Sequence, residues 1–345
     1  MSSKVTILPF GETLEVEDEE TVLKAILRQG RFVKYGCKHG GCSTCRAEVV
    51  EGDVTLGLNT SFSLSDADRA NGVVLLCSTF CETDVTVDVS ATMDDLDETA
   101  FRAGQDLLEL TGTVDRREQL SHDIVWLGIQ LSGGDKLPFT AGQYIELKIP
   151  GTEDAWRSFS LANSPGETDR ADLIIKVIPG GAFGTALRNG LGPGDRVQLR
   201  GPFGTFGVRW SHRPMVMVAG GSGMAPVLAV LKDLVAIRNK RPVLFLYGAR
   251  AGRDLILDRE LTAMAAELPW FTYVPALSEP GTEDAGWSGE TGLVTDVLRR
   301  LLPSPRGYEA YMCGPPPMID AAITVLEAGG VKPRHIYFDR FVPSG

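Results

Sequence analysis

Tyr35-Gly36-Cys37-Lys38-His39-Gly40-Gly41-Cys42-Ser43-Thr44-Cys45-Arg46 sets three thiols in the order C-x4-C-x2-C, and a fourth, Cys77, closes the apolar run Val73-Val74-Leu75-Leu76. This is the spacing that holds a plant-type [2Fe-2S] cluster. Three thiolates on one tight loop require a sharply bent backbone. Gly36, Gly40 and Gly41 supply residues that take positive φ at little steric cost and let N–H groups approach the sulfurs. A structural zinc site usually shows two C-x2-C-like pairs, whereas here a compact trio faces one distant cysteine. Cys37, Cys42, Cys45 and Cys77 are therefore the expected metal ligands, and the expected chemistry is one-electron transfer.

Working outward, the 345 residues suffice for two or three domains with cores of their own. No apolar run reaches the length of a membrane span, and Met1-Ser2-Ser3-Lys4-Val5-Thr6-Ile7 lacks the build of a signal peptide. The expected location is cytoplasmic, where thiols stay reduced. Cys81 and Cys313 are left over and suggest no disulfide framework. The net charge of -11 is uneven: residues 1–106 hold nine Lys or Arg against nineteen Asp or Glu, which leaves the other 239 residues nearly neutral. An acidic amino-terminal third argues against nucleic acid and fits either docking to a basic protein surface or simple solubility.

Before the cysteine loop, Val5-Thr6-Ile7-Leu8 and Thr13-Leu14-Glu15-Val16 read as strands around a turn. Asp18-Glu19-Glu20-Thr21 reads as the acidic first turn of a helix through Val22, Ile26 and Leu27, ending near Gly30. After the loop, Ala47-Glu48-Val49-Val50, Val73–Leu76 and Val85-Thr86-Val87-Asp88-Val89 read as further strands, giving a small α+β domain of the β-grasp kind over residues 1–93. Residues 94–106 read as an acidic linker with Asp94, Asp95, Asp97 and Glu98 exposed. From 107 to 208, alternating strands such as Ile124–Leu127, Tyr144–Leu147 and Leu173–Val177, separated by glycine turns, predict an antiparallel barrel. From 209 to 345, Met215–Ala219, a helix from Pro226 to Arg238, Val243–Tyr247, a helix from Leu257 to Leu268 and Phe271–Val274 predict a parallel α/β sheet, with ligands at the carboxyl ends of its strands.

Four short motifs follow in order. Arg157-Ser158-Phe159-Ser160 groups a cation, hydroxyls and an aromatic, a set able to grip phosphate and cover a flat ring, and equally suited to a half-buried strand. Pro179-Gly180-Gly181-Ala182-Phe183-Gly184-Thr185 leads into a helix whose free N–H groups would receive a pyrophosphate, unless it is a plain Gly-Gly turn. Gly220-Gly221-Ser222-Gly223 follows a strand and opens a helix at Pro226, the context of a dinucleotide phosphate loop without the G-x-G-x-x-G fingerprint. Cys313-Gly314-Pro315-Pro316-Pro317-Met318 closes another strand; its thiol is either an inert buried cysteine or the wall of a nicotinamide pocket. The terminal Tyr337-Phe338-Asp339-Arg340-Phe341 offers aromatics to shield a flavin or to dock the tail.

Taken together and in this order, the motifs resemble the NADH-dependent reductase components of bacterial multicomponent oxygenases over essentially the whole chain, and most of all those serving soluble diiron monooxygenases. The resemblance implies a ferredoxin domain, an FAD-binding barrel and an NAD-binding domain, with electrons passing from NADH through FAD and the cluster to an oxygenase component. It places Arg157 on the FAD pyrophosphate, Phe159 against the isoalloxazine and Ser160 near its N5, with Ser158 beside them. Gly180, Gly181, Ala182, Gly184 and Thr185 would take the flavin phosphates, and Gly220, Gly221, Ser222 and Gly223 the NADH phosphates. Cys313, Gly314 and Pro315 would border the nicotinamide, Phe341 would lie near the flavin, and Ser160 and Cys313 would flank the hydride path.

The family often has Tyr at Phe159 and Ser at Gly184, so the phosphate hydroxyl is expected from Thr185. A Tyr-Pro pair commonly stands at Phe80 and Cys81, which makes Cys81 a competing thiol; Cys77 is retained because it ends the apolar strand. Arg250 and Arg253 are positioned where a 2′-phosphate would be met, so NADH is preferred on resemblance alone. The free chain is expected to be a monomer without nucleic-acid or membrane partners. Alternatives are a reductase for a Rieske dioxygenase and a carrier or redox-sensing module without reductase activity.

Overall fold

The computed structural model describes residues 3–36, 38, 40–41, 43–57, 63–93, 101–102, 107–153 and 155–341. Cys37, Cys42 and the acidic residues 94, 95, 97 and 98 lie outside them. The chain divides into two compact units that meet in sequence between Leu107 and Leu108.

In the first unit the strands are β1 (Ser3–Leu8), β2 (Glu12–Val16), β3 (Arg46–Glu51), β4 (Val54–Leu56), β5 (Val73–Leu75), β6 (Thr79–Cys81) and β7 (Val85–Asp88). The main sheet runs β2-β1-β7-β3-β5, with β1 and β7 parallel and the other pairs antiparallel. The helix Val22–Arg28 buries Val22, Leu23, Ala25 and Ile26. This is the β-grasp arrangement. Phe101, assigned to the linker on sequence, is fully buried, stacks on Phe10 at 4.1 Å and accepts the Phe32 N–H at 3.0 Å. Its neighbour Arg102 pairs with Glu12 at 2.8 Å. The first unit therefore extends past residue 93.

The helix start differs from the expectation. Thr21 is the N-cap, the first turn carries no acid, and Glu20 is instead buried beneath Arg28. Arg28 Nε and Nη2 donate to the two Glu20 oxygens at 2.9 and 2.8 Å, and the Glu17 N–H donates to Oε2 at 3.0 Å. Bidentate pairing with a guanidinium outweighs a weak dipole contact in the first turn. The Arg28 hydrogen bonds hold the Glu20 carboxyl below the usual glutamate range, against the opposing effect of burial. A depressed folded-state pKa gives stability that is present above the unfolded value of about 4.3 and is lost as pH falls through the folded value. Glu20→Gln is accordingly expected to lower the melting temperature near neutrality and to flatten the acid limb of a melting-temperature profile between about pH 6 and 3.

In the second unit β8 (Leu108–Gln119), β9 (Ile124–Leu131), β10 (Tyr144–Lys148), β11 (Trp156–Ser160), β12 (Arg170–Lys176) and β13 (Arg196–Phe203) form an antiparallel sheet in the order β11-β10-β13-β8-β9-β12. An antiparallel bridge between Leu161 and Leu173 brings its two edges together, so the sheet is nearly a closed barrel. Residues two apart along each strand, such as Leu127, Ile129 and Leu131 or Leu173 and Ile175, share its buried interior, as the strand period requires.

The remaining strands are β14 (Met215–Gly220), β15 (Val243–Ala249), β16 (Phe271–Leu277), β17 (Glu290–Thr291), β18 (Glu309–Gly314) and β19 (Ile336–Arg340). They make a fully parallel sheet in the order β17-β16-β15-β14-β18-β19. The helix after β14 starts at Met224, two residues before the expected Pro226. Proline is tolerated there because a first-turn N–H has no intrahelical acceptor. Tyr337 and Phe338 belong to β19, with Phe341 just beyond its end, and Tyr337 stacks on Tyr311 at 5.1 Å. Among the described residues no helix is long and apolar enough to cross a membrane.

Candidate cofactor sites

The iron–sulfur loop is pinned from behind. Cys45 and Cys77 are both buried, and the Leu76 N–H donates to the Cys45 carbonyl at 2.9 Å, which brings the short loop and the distant cysteine side by side. The Gly40 N–H stands 3.2 Å from Cys77 Sγ, the kind of donor that stabilises a thiolate ligand. Ser63, fully buried, donates its hydroxyl to the Gly40 carbonyl at 2.5 Å, and its own carbonyl accepts from Ser43 Oγ at 2.9 Å. Ser63 lies far from the loop in sequence and carried no motif. Cys81 is held differently: it sits on β6, opposite Val54 of β4. Burial, with Asp84 nearby, pushes its thiol up to about 11. A buried sulfur with an approaching backbone donor fits a cluster ligand; a half-buried thiol held in the β4–β6 pairing, away from the loop, fits less well.

The flavin motif lies on β11, where side chains alternate between the two faces of the barrel wall. Phe159 turns inward and meets Phe183 of the helix Ala182–Arg188 at 4.7 Å between ring centres. This contact joins the Arg-Ser-Phe-Ser and Gly-Gly motifs. Ser160 is buried, Ser158 is exposed opposite Glu146, and Arg157 is half-buried with Nη1 donating to the Trp156 carbonyl at 2.9 Å.

Gly180 has φ of +76°, the left-handed turn that lets the chain enter the helix capped by Gly181. The first-turn amides of Ala182, Phe183 and Gly184 have no intrahelical acceptor and fit a phosphate. A Cβ at Gly184 would lie 3.0 Å from the Ile178 carbonyl, so a side chain there is tightly resisted. The Thr185 hydroxyl donates to the Gly181 carbonyl at 3.0 Å and accepts from Arg188 at 3.0 Å, so its proton is committed to the helix and the amides are the better phosphate donors.

The two nucleotide motifs are in backbone contact. The turn Gly221–Gly223 follows β14, and a Cβ on Gly223 would fall 2.1 Å from the Cys313 carbonyl. Gly220 and Gly314 also approach, less closely, a Cβ on Gly314 lying 3.0 Å from the Gly220 carbonyl. Only glycine permits this, and adjacent pairing of β14 with β18 requires it. Ser222 is half-buried at the middle of the turn, Pro315 caps the helix Pro316–Ala328, and the Phe341 N–H donates to the Gly314 carbonyl at 2.9 Å.

Tyr247 props the loop from below, its hydroxyl donating to the Gly221 carbonyl at 3.1 Å; sequence reading gave it only a place in a strand. Cys313 is fully buried, and desolvation holds its thiol well above the ordinary cysteine value. A thiol held in this way is neutral and is neither an acid nor a base. Arg253 pairs with Glu283 at 3.3 Å, which offsets the charge a 2′-phosphate would seek.

Three modules in this order, a thiolate cluster loop, a flavin barrel and a nucleotide sheet, define a pyridine-nucleotide-dependent flavin/iron–sulfur oxidoreductase. Family models describe the same succession: a 2Fe-2S iron-sulfur cluster binding domain at residues 5–82, an oxidoreductase FAD-binding domain at 111–208 and an oxidoreductase NAD-binding domain at 217–323. The chain is 37% identical to the reductase component of propane 2-monooxygenase from Gordonia, over 98% of this chain and 96% of that one. It is 38% identical to the reductase component DmpP of phenol 2-monooxygenase from Pseudomonas, over 99% and 95%. The crystal structure of the Amycolatopsis cytochrome P450 reductase GcoB superposes with a TM-score of 0.80 at 32% identity, covering 99% of each chain. The chain belongs to the family of reductase components of multicomponent monooxygenases. It is an NADH-dependent reductase that passes electrons through FAD and a [2Fe-2S] cluster to an oxygenase component.

Proposed function

We propose that the oxygenase served is a soluble diiron hydrocarbon monooxygenase, and that Cys37, Cys42, Cys45 and Cys77 hold the cluster. Full-length similarity to reductase components of propane and phenol monooxygenases carries the choice of partner. Bound FAD supplies the conversion of a two-electron hydride from NADH into single electrons for the cluster.

The chain's own residues position those groups. Arg157 and the amides of Ala182, Phe183 and Gly184 hold the flavin phosphates. Phe159 would brace the ring side of the site, and Ser160 would offer its hydroxyl to the flavin. The turn Gly220–Gly223 takes the nucleotide phosphates, while buried Cys313, with Gly314 and Pro315, keeps water from the nicotinamide side. The acidic residues of the amino-terminal third form a docking charge for a basic oxygenase surface. The reading includes a cytoplasmic monomer.

The test is to reconstitute the purified chain with FAD, iron and sulfide and to mix it with diiron hydroxylases and, separately, Rieske oxygenases. NADH-coupled product is expected only with a diiron hydroxylase. A chain that acquires no flavin absorbance on incubation with FAD, or that couples to a Rieske oxygenase alone, refutes the reading.

A further inference from the structure

The helix Met224–Ala236 begins at the nucleotide loop, and one polar side chain on it is not explained by packing. Lys232 Nζ donates to the Ala162 carbonyl at 3.0 Å and stands 5.4 Å from the centre of the Trp126 ring. Ala162 is fully buried and lies two residues beyond Ser160. Its N–H donates to the Asp172 carbonyl at 2.7 Å, and the Asp172 N–H donates to Asn163 Oδ1 at 3.0 Å. Asn163 Nδ2 donates to the carbonyls of Glu167 and Arg170 at 3.0 and 3.2 Å. The end of the flavin strand is thus anchored to its own barrel on one side and to the nucleotide helix, through Lys232, on the other.

The position is costly for a cation. Desolvation is the leading influence on Lys232 and lowers its pKa, with Asp172 and Glu167 opposing it and Arg170 and Arg116 adding to it. Leu228 and Leu231 on the same helix are buried, so an apolar residue would satisfy packing at this place. What an apolar residue lacks is a donor aimed at one carbonyl.

We propose that Lys232 is a positioning residue for hydride transfer, its tie to Ala162 setting the register between the strand that ends at Ser160 and the helix that begins at Met224. The proposal rests on the assignment of Ser160 to the flavin and of Gly220–Gly223 to NADH. A loosened tie displaces the donor ring from the acceptor without removing any group that binds either one. The expected signature is a fall in the rate of the step at saturating NADH, with binding retained.

The test uses the full chain loaded with FAD and cluster, as Lys232→Met and Lys232→Arg. Because a misplacement of about 1 Å costs on the order of 100-fold, Lys232→Met is expected to slow flavin bleaching at saturating NADH by about tenfold or more, with the KM for NADH within about twofold and Lys232→Arg within about threefold of the parent. A readout apart from turnover is the long-wavelength charge-transfer absorbance when NAD⁺ is added to dithionite-reduced protein, expected to weaken in Lys232→Met only. Unchanged bleaching in Lys232→Met overturns the proposal. So does an equal loss in both variants accompanied by lost FAD and a lower melting temperature, which marks a purely structural role. If Lys232→Met does not fold, Lys232→Gln carries the same comparison. Ser160→Ala separates the underlying assignment: if it leaves the flavin spectrum and bleaching rate untouched, the site reading fails whatever Lys232 does.

Discussion

Cys77→Ser is expected to abolish the visible absorption of the cluster while leaving FAD bound and bleached by NADH, and Cys81→Ser is expected to leave both chromophores intact. The reason is geometric. Cys77 Sγ faces the Gly40 N–H at 3.2 Å, and the neighbouring Leu76 is hydrogen-bonded to Cys45, so this sulfur is presented to the cysteine loop. Cys81 is committed to the register of β6 with β4, opposite Val54. Burial pushes its thiol up to about 11, so it releases its proton to a metal less readily than an ordinary cysteine. Loss of an outer hydrogen-bond partner of a metal ligand costs about 10- to 100-fold; loss of the ligand itself should exceed that in NADH-driven reduction of a one-electron acceptor fed by the cluster. Iron and sulfide content, the visible spectrum and the flavin bleaching rate check the pair. An intact cluster in Cys77→Ser, or its loss in Cys81→Ser, reverses the ligand assignment.

The second large effect is on stability. Arg241→Met is expected to destabilise the second unit by about 3–5 kcal/mol, because it leaves a buried carboxylate without its partner. Arg241 Nη2 meets Glu309 Oε2 at 2.5 Å, with the Glu309 side chain only 3% exposed. Arg241 Nε and Nη1 donate to the carbonyls of Arg213 and Arg209 at 2.7 and 2.9 Å. The Tyr311 hydroxyl donates to Glu309 at 2.9 Å and accepts the Arg209 N–H at 3.0 Å. One guanidinium therefore clamps the segment leaving the barrel onto the amino-terminal end of β18, an interior strand of the nucleotide sheet. At about 2–4 °C per kcal/mol for a unit of this size, the melting temperature should fall by about 10 °C. The double variant Arg241→Met with Glu309→Leu is expected to lose less than Arg241→Met alone, since removing both charges avoids the stranded one. Calorimetry on the three proteins decides; a double variant as unstable as the single one would mean that packing, and not the ion pair, dominates.

Two expectations from sequence gave way for related reasons. The acidic run before Val22 resembles a helix first turn, but Arg28 draws Glu20 inward with two hydrogen bonds, and the helix begins at Val22 behind a threonine cap. Pro226 resembles a first helical residue, but the helix starts at Met224, because the backbone is already in the right-handed helical region at Gly223, where the turn ends. In each case a contact or a preceding turn outweighed a local preference of less than about 1 kcal/mol.

The sequence by itself determined the cysteine spacing, the order of the flavin and nucleotide motifs and the class of each domain. Those are written in short windows: loop spacing, period-two alternation in the barrel, and continuous apolar strands alternating with helices. The tertiary structure alone decided which contacts complete the sites. Ser63 behind Gly40, the Gly223 backbone against Cys313, Tyr247 under Gly221 and Lys232 on Ala162 all join residues distant along the chain. Such meetings depend on strand order and register, here β15-β14-β18 in one sheet and the near-closure of β11 onto β12 in the other, which no local pattern specifies.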